Sequence, residues 1–234
     1  LNGNKRLSPW RDTHVRMEGP SVQGCQLSFL EDWYWVTGEV PEMDWHPDGV
    51  NSDQRVLILP TGPADLVESC QLMFLHVINS ATERLWIGGP YFVPDESILN
   101  ALKLAVLRGV DVRLMLPGKT DNRMVQLSSY AVLLDLRNTG VRAFQYQQGF
   151  LHQKVVLVDR DRAYVGTANF DNRSFHLNFE ITVMVKGQQF AAEVESMLND
   201  DFKHCLPLTG DDLAQRNVVF RSLIKLSQLF SPIQ

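Results

Sequence analysis

Cysteine is scarce: Cys25, Cys70 and Cys205 are scattered over 234 residues. So few thiols exclude a disulfide scaffold or a cysteine-built zinc cluster and fit a reducing compartment. No apolar run approaches the ~20 residues a spanning helix needs, and no signal peptide opens the sequence, which begins with Leu1 as a coding fragment or a processed product would. Excess basic charge is missing too. Lys and Arg number 22 against 27 Asp and Glu, a net charge of −5, which disfavours a general nucleic-acid binder and leaves room for a local basic cleft. A nucleotide phosphate loop is absent, because Gly118-Lys119-Thr120 has Arg113 where that loop needs its first glycine. His204 beside Cys205 has no second pair at ligand spacing, so no metal site is expected. What remains is a globular composition, 44% hydrophobic and 21% charged, sized for one large domain or one and a half ordinary ones.

The patterning begins with a polar, strand-like stretch, Trp10 to Met17, ended by Gly19-Pro20. Pro20 suits the first turn of a helix to about Val36, which Gly38 stops; Trp33, Tyr34 and Trp35 on it fit either core packing or a membrane interface. Residues 41–54, rich in Pro, Asp, Gly and Asn, read as a linker. Then strands and helices alternate: a buried strand Val56–Leu59, a helix Leu66–Thr82, a strand Leu85–Ile87, and a helix capped by Asp95 with the stripe Ile98, Leu99, Leu102, Ala105 and Val106 up to Gly109. A strand Val110–Leu116, a helix Met124–Arg137 and a strand Val141–Tyr146 follow. This rhythm predicts an α/β layered domain with a largely buried sheet. From His152 onward the pattern becomes strand–turn–strand, over 155–158, 163–165 and 181–185, closed by helices at 190–202 and 217–229. The last helix has an apolar face bordered by Arg216, Arg221 and Lys225, suited to packing on the domain or to lying on an anionic bilayer.

The most informative stretch is His152-Gln153-Lys154 followed by Asp159, Gly166, Thr167, Asn169 and Glu180. Side chains alternate along a strand, so His152 and Lys154 point the same way. With an Asn in a tight glycine-containing turn they make an anion cradle: lysine supplies point charge, Asn a neutral donor, and histidine attacks phosphorus or moves a proton. Asp159 lies at an odd offset from His152 and reads as a structural acid, not a partner in bond-making.

His152-x-Lys154-x4-Asp159 followed by Gly166-x2-Asn169 resembles the HKD motif of the phospholipase D superfamily. Tyr91-Phe92-Val93-Pro94, Arg108-Gly109-Val110-Asp111-Val112 and Asn169 to Phe175 with Asn178-Phe179-Glu180 are similar to the bacterial cardiolipin synthases of that superfamily. The resemblance implies a phospholipase D-like fold, a central mixed β-sheet with helices on both faces, and a catalytic set of His152, Lys154, Asp159, Asn169 and Glu180. Lys154, Asn169 and Thr167 would bind the phosphate. It further implies that Glu180 orients His152, that no cofactor or metal is needed, and that a phosphatidyl group passes from phosphatidylglycerol to a second phospholipid through a phosphohistidine, releasing glycerol.

Members of the superfamily carry two such motifs, and this sequence has one. Residues 1–40 therefore read as the tail of a first half, 41–54 as the linker, and 55–234 as the second domain with its motif and C-terminal amphipathic helix. An internal echo supports this: Trp10-Arg11-Asp12 parallels Asn178-Phe179-Glu180, an acid third in each. Asp12 would by that analogy serve a histidine of the first half. The implied partners are phosphatidylglycerol and other phospholipids, a membrane surface and the N-terminal half with the first motif, with no nucleic acid. The implied location is a bacterial cell membrane, active site on the cytoplasmic side, with spanning helices outside this chain. Two alternatives stay open: a phospholipase D-type hydrolase, and an inactive fragment lacking the first motif.

Overall fold

A computed structural model of the protein describes residues 7–49 and 52–229. Its elements run β1 (Trp10–Arg11), α1 (Val22–Thr37), β2 (Arg55–Thr61), α2 (Ser69–Ser80), β3 (Arg84–Gly88), β4 (Phe92–Val93) and α3 (Glu96–Leu107). They continue as β5 (Asp111–Pro117), α4 (Arg123–Asp135), β6 (Arg142–Tyr146), β7 (Phe150–Leu151), β8 (Val155–Val158), β9 (Arg162–Gly166), β10 (Phe170–Asp171) and α5 (Asn172–His176). The chain closes with β11 (Glu180–Lys186), α6 (Gln188–Phe202), β12 (Cys205–Pro207), α7 (Gly210–Ala214) and α8 (Val218–Ser227). Residues 1–6 of the expected first-half tail, 50–51 of the expected linker and 230–234 of the expected second domain lie outside the described residues.

Eight strands form one mixed sheet in the order β12-β6-β5-β3-β8-β9-β11-β2. The crossover helices make β3, β5 and β6 parallel, whereas β8, β9, β11 and β2 are antiparallel neighbours joined without such helices. Strand alternation sorts side chains between two cores. Val156 and Val158 of β8, with Leu85 and Ile87 of β3, join the cluster under α2, α3 and α4. Val155 and Leu157, with Trp86, join the opposite cluster under α6, where Ala191, Val194 and Leu198 pack. Both faces are thus covered, as a sheet with such continuous apolar runs requires. Each fully buried Leu or Ile of this kind contributes about 1.5–3 kcal/mol.

Several elements differ from expectation. Val56–Leu59 belongs to an outer strand, not a buried one: β2 pairs with β11 on one side, and Leu57 is 54% exposed. The helix expected from Leu66 starts at Ser69 and leaves Leu66 in solvent. The strand expected over 10–17 is two residues of β1, held parallel to β7, because Asp12 and its successors turn to side-chain contacts. α1 forms and stops at Gly38, whose φ of 70° favours glycine, yet buries none of its residues.

Candidate active site

The site lies where β7 and β1 run out beside the start of β8. Pairing Trp10 with Phe150 and Arg11 with Leu151 brings the next residues, Asp12 and His152, level with one another. The backbone secures this: the Phe150 amide donates to the Pro9 carbonyl (2.9 Å) and the His152 amide to the Arg11 carbonyl (2.8 Å). The close approach requires Gly149, whose φ is 100° and whose missing side chain would collide with the Pro9 carbonyl. The Asp12 carboxylate stands 3.1 Å from His152 Nδ1. The rings of Trp10 and Phe150 flank the imidazole at 5.1 and 5.6 Å.

Lys154 reaches the same side, as the alternation predicts. Its Nζ donates to the His152 carbonyl (2.8 Å) and lies 3.1 Å from His152 Nε2. Burial pulls the Lys154 pKa down, against the pull of Asp12, Glu180, Asp171 and Asp121. Burial also pushes the Asp12 carboxyl up, but its bonds to His152 and the Thr13 amide, with the nearby His152 and Lys154 charges, leave it below its ordinary value. A carboxylate against Nδ1 favours the proton on that nitrogen, which leaves the lone pair on Nε2, beside Lys154 Nζ.

Asn169 sits in the loop after β9, its amide donating to Ser174 Oγ (3.0 Å). Its side-chain oxygen is buried without a hydrogen-bond partner. Together with Lys154, Gly88, Gly89 and Gly166 it lines a cavity of about 10 Å³, room for about one water. A buried unpaired acceptor costs stability, and such costs are tolerated where a ligand group completes the bonding. The glycine of the motif is also explained: a Cβ on Gly166 would stand 2.6 Å from the Ile181 carbonyl oxygen.

Glu180 and Thr167 take different places from those expected, and Asp159 takes the structural one its odd offset suggested. Glu180, expected to orient His152, instead accepts from Thr167 Oγ1 and from Asn178 Nδ2 (3.1 Å), while His152 is paired with Asp12. The acid serving His152 thus comes from the segment expected to serve another histidine, because β1 docks on β7. Thr167, expected to bind phosphate, donates its hydroxyl hydrogen to Glu180 and accepts the Ile181 amide (2.9 Å). Asp159 lies at the far end of β8 from His152 and belongs to no reacting group. It accepts the amides of Glu83 (2.7 Å), Thr82 (3.0 Å) and Arg84 (3.2 Å) and pairs with Arg162 (2.8 Å). Although burial raises its pKa, those backbone bonds outweigh it and hold the carboxyl below the usual range.

Sequence reasoning gave no part to Gln153 or Asp201, which lie behind the motif, or to Tyr91, whose hydroxyl donates to Asp121 (2.7 Å). The sign that was available was Gln153 itself, a polar residue between two site residues and so pointing inward. Among the described residues, no group of three or more His, Cys, Asp or Glu could hold a metal ion.

Residues 74–202 match the family model described as cardiolipin synthase, PLD-like domain. The chain belongs to this family. Cardiolipin synthase A of Pseudomonas putida (strain GB-1) is 48% identical over 236 residues, spanning 100% of this chain and 49% of that protein. Cardiolipin synthase A of Pseudomonas aeruginosa (strain LESB58) is 49% identical over 227 residues, 97% of this chain and 46% of that one. The chain spans about half the length of these curated relatives. A solved structure titled as the phosphatidylserine synthase of Haemophilus influenzae Rd KW20 matches with a TM-score of 0.64 at 16% identity, over 95% of this chain and 56% of that chain. The phospholipase D family member Nuc from Salmonella typhimurium matches with a TM-score of 0.57 at 21% identity, over 67% of this chain and 99% of that chain. These likenesses establish the phospholipase D-like fold.

Proposed function

We propose that this chain carries one half-site of a cardiolipin synthase-type phosphatidyltransferase. The supporting observation is the imidazole of His152 held between the Asp12 carboxylate on Nδ1 and the Lys154 ammonium beside Nε2. In this reading Asp12 keeps the Nδ1 proton in place, so Nε2 either attacks phosphorus or carries the proton. Phosphatidylglycerol is the donor. A histidine of one half attacks the phosphodiester, a P–N bond forms, and the P–O bond to glycerol breaks as the departing oxygen takes a proton from the other histidine. That second histidine then accepts the proton of an incoming phospholipid hydroxyl, whose oxygen forms the new P–O bond as P–N breaks. We assign the acid/base role to His152 and the nucleophile to a first half that lies before the linker at residues 41–54.

Lys154 Nζ and the side-chain Nδ2 of Asn169 stabilise charge on the non-bridging oxygens. By the internal echo, Glu180 lies ready to steady the histidine of the other half as Asp12 steadies His152. The reaction takes place at the cytoplasmic side of a bacterial cell membrane. α8 supports contact with a membrane surface: Val218, Val219, Leu223 and Leu226 are exposed near Arg216, Arg221 and Lys225. No helix among the described residues is long and apolar enough to cross a membrane.

The test is turnover of phosphatidylglycerol vesicles by the full-length protein and by its His152→Ala variant. Cardiolipin and free glycerol in equal amounts from the first and neither from the second is the expected result. Phosphatidic acid without cardiolipin would replace the transferase by a hydrolase, and undiminished cardiolipin from the variant would refute the assignment of His152.

A further inference from the structure

Behind the site, on the side of the strands opposite Asp12, His152 and Lys154, four polar side chains close a circuit. Arg11 Nε and Nη2 donate to the two oxygens of Asp201 at 2.7 and 2.8 Å, a bidentate ion pair. Arg11 Nη1 also donates to Thr13 Oγ1 (3.2 Å). The Thr13 hydroxyl donates to Gln153 Oε1 (2.8 Å), and Gln153 Nε2 donates to Asp201 Oδ2 (3.3 Å), returning to the start. Gln153 is 0% and Asp201 5% exposed. Each donor atom of this circuit lies within hydrogen-bond distance of an acceptor inside it.

The sequence positions carry the argument. Arg11 and Thr13 flank Asp12, and Gln153 separates His152 from Lys154. Extended chains send neighbours to opposite sides, so the odd-numbered residues grip one another behind while Asp12, His152 and Lys154 face the front. Asp201 joins them from the last turn of α6, a helix anchored on the sheet by Ala191, Val194 and Leu198. β1 pairs with β7 through two residues only, a short ladder on which to fix register. A one-residue slip would carry Asp12 to the wrong side. Burying a charged pair also costs desolvation that well-packed apolar side chains would avoid, while polar partners with fixed geometry specify register.

We propose that Arg11, Thr13, Gln153 and Asp201 are positioning residues: they lock the segment bearing Asp12 onto the HKD segment and so hold the Asp12 carboxylate on His152. The catalytic meaning of this lock rests on the proposed function; the lock itself is tested without turnover. The chain is labelled with 15N-histidine, and the ring nitrogens of His152 are followed by NMR. Asp12→Asn gives the reference signal for an imidazole without its carboxylate.

Asp201→Asn and the milder Thr13→Val, which removes a hydroxyl at nearly constant shape, are expected to move the His152 Nδ1 signal towards that reference. Neither is expected to shift it further in the Asp12→Asn background. A signal unchanged from the wild type in folded Thr13→Val and Asp201→Asn would overturn the proposal, as would a shift of equal size in the Asp12→Asn background. If Asp201→Asn does not fold, Thr13→Val decides by the same criteria. Failure of lipid turnover would leave this result standing, so the two readings fail separately.

Discussion

Asp12 and His152 are 140 residues apart in sequence and 3.1 Å apart in space, carboxylate oxygen to Nδ1. If that contact fixes the working tautomer, its loss reaches the reaction without touching the substrate. Asp12→Asn is expected to lower kcat by about 10²–10⁴ while leaving the fold intact, as amide replacement of a histidine-orienting acid does elsewhere. Steady-state turnover of phosphatidylglycerol by the full-length protein, set beside circular dichroism of the variant, checks both halves of the claim.

Glu180 gives the matching control. Because it bonds Thr167 and Asn178 and not His152, Glu180→Gln is expected to leave the His152 ring signals in this chain where they are. A displacement as large as that of Asp12→Asn would restore Glu180 as the orienting acid.

Asp159 makes a stability prediction with a definite pH sign. Its folded pKa lies below the unfolded value near ~3.9. The unfolded chain therefore binds that proton more readily. The stability this carboxylate contributes is fully present above the unfolded value and is lost as pH falls through the lower folded one. Asp159→Asn, which tolerates the φ of 52° at this position, should cost about 2 kcal/mol at neutral pH. Urea unfolding at pH 7 and near pH 3 should show the difference from wild type shrinking at acid pH; a constant difference would deny the linkage.

Gly166→Ala sets a methyl against the Ile181 carbonyl oxygen, where β9 and β11 leave no room. The expected result is a loss of about 1–3 kcal/mol by over-packing. Thermal unfolding would read it, and a midpoint equal to wild type would show that the strands can part there at no cost.

The layered fold was legible because its strands are continuous apolar runs and its helices have one-sided stripes; Val155–Val158 and the Ile98 to Ala105 stripe are both where periodicity puts them. His152 and Lys154 share a side because a two-residue spacing allows little else. The element edges were less legible, since Leu66 and Val56–Leu59 are apolar residues left partly or wholly in solvent, and composition carries no record of which strand ends the sheet. Which acid stands against His152 was hidden for a different reason. Two acids follow similar local patterns, and the choice between them is made by the docking of β1 on β7, a long-range event that neither local pattern encodes. The bond from the Thr167 hydroxyl to Glu180 was hidden likewise, because it forms only once β9 and β11 are paired.

The docking of β1 has a consequence for how the polypeptide acquires its chemistry. Bringing together groups so distant along the backbone carries a loop-closure entropy of roughly 4 kcal/mol, logarithmic in length, before any contact rewards it. On a ribosome, Asp12 emerges long before His152 is synthesised, so the imidazole meets its acid only when most of the domain exists. A translation product that starts beyond residue 12 would keep the entire motif in its amino-acid letters and still lack the dyad.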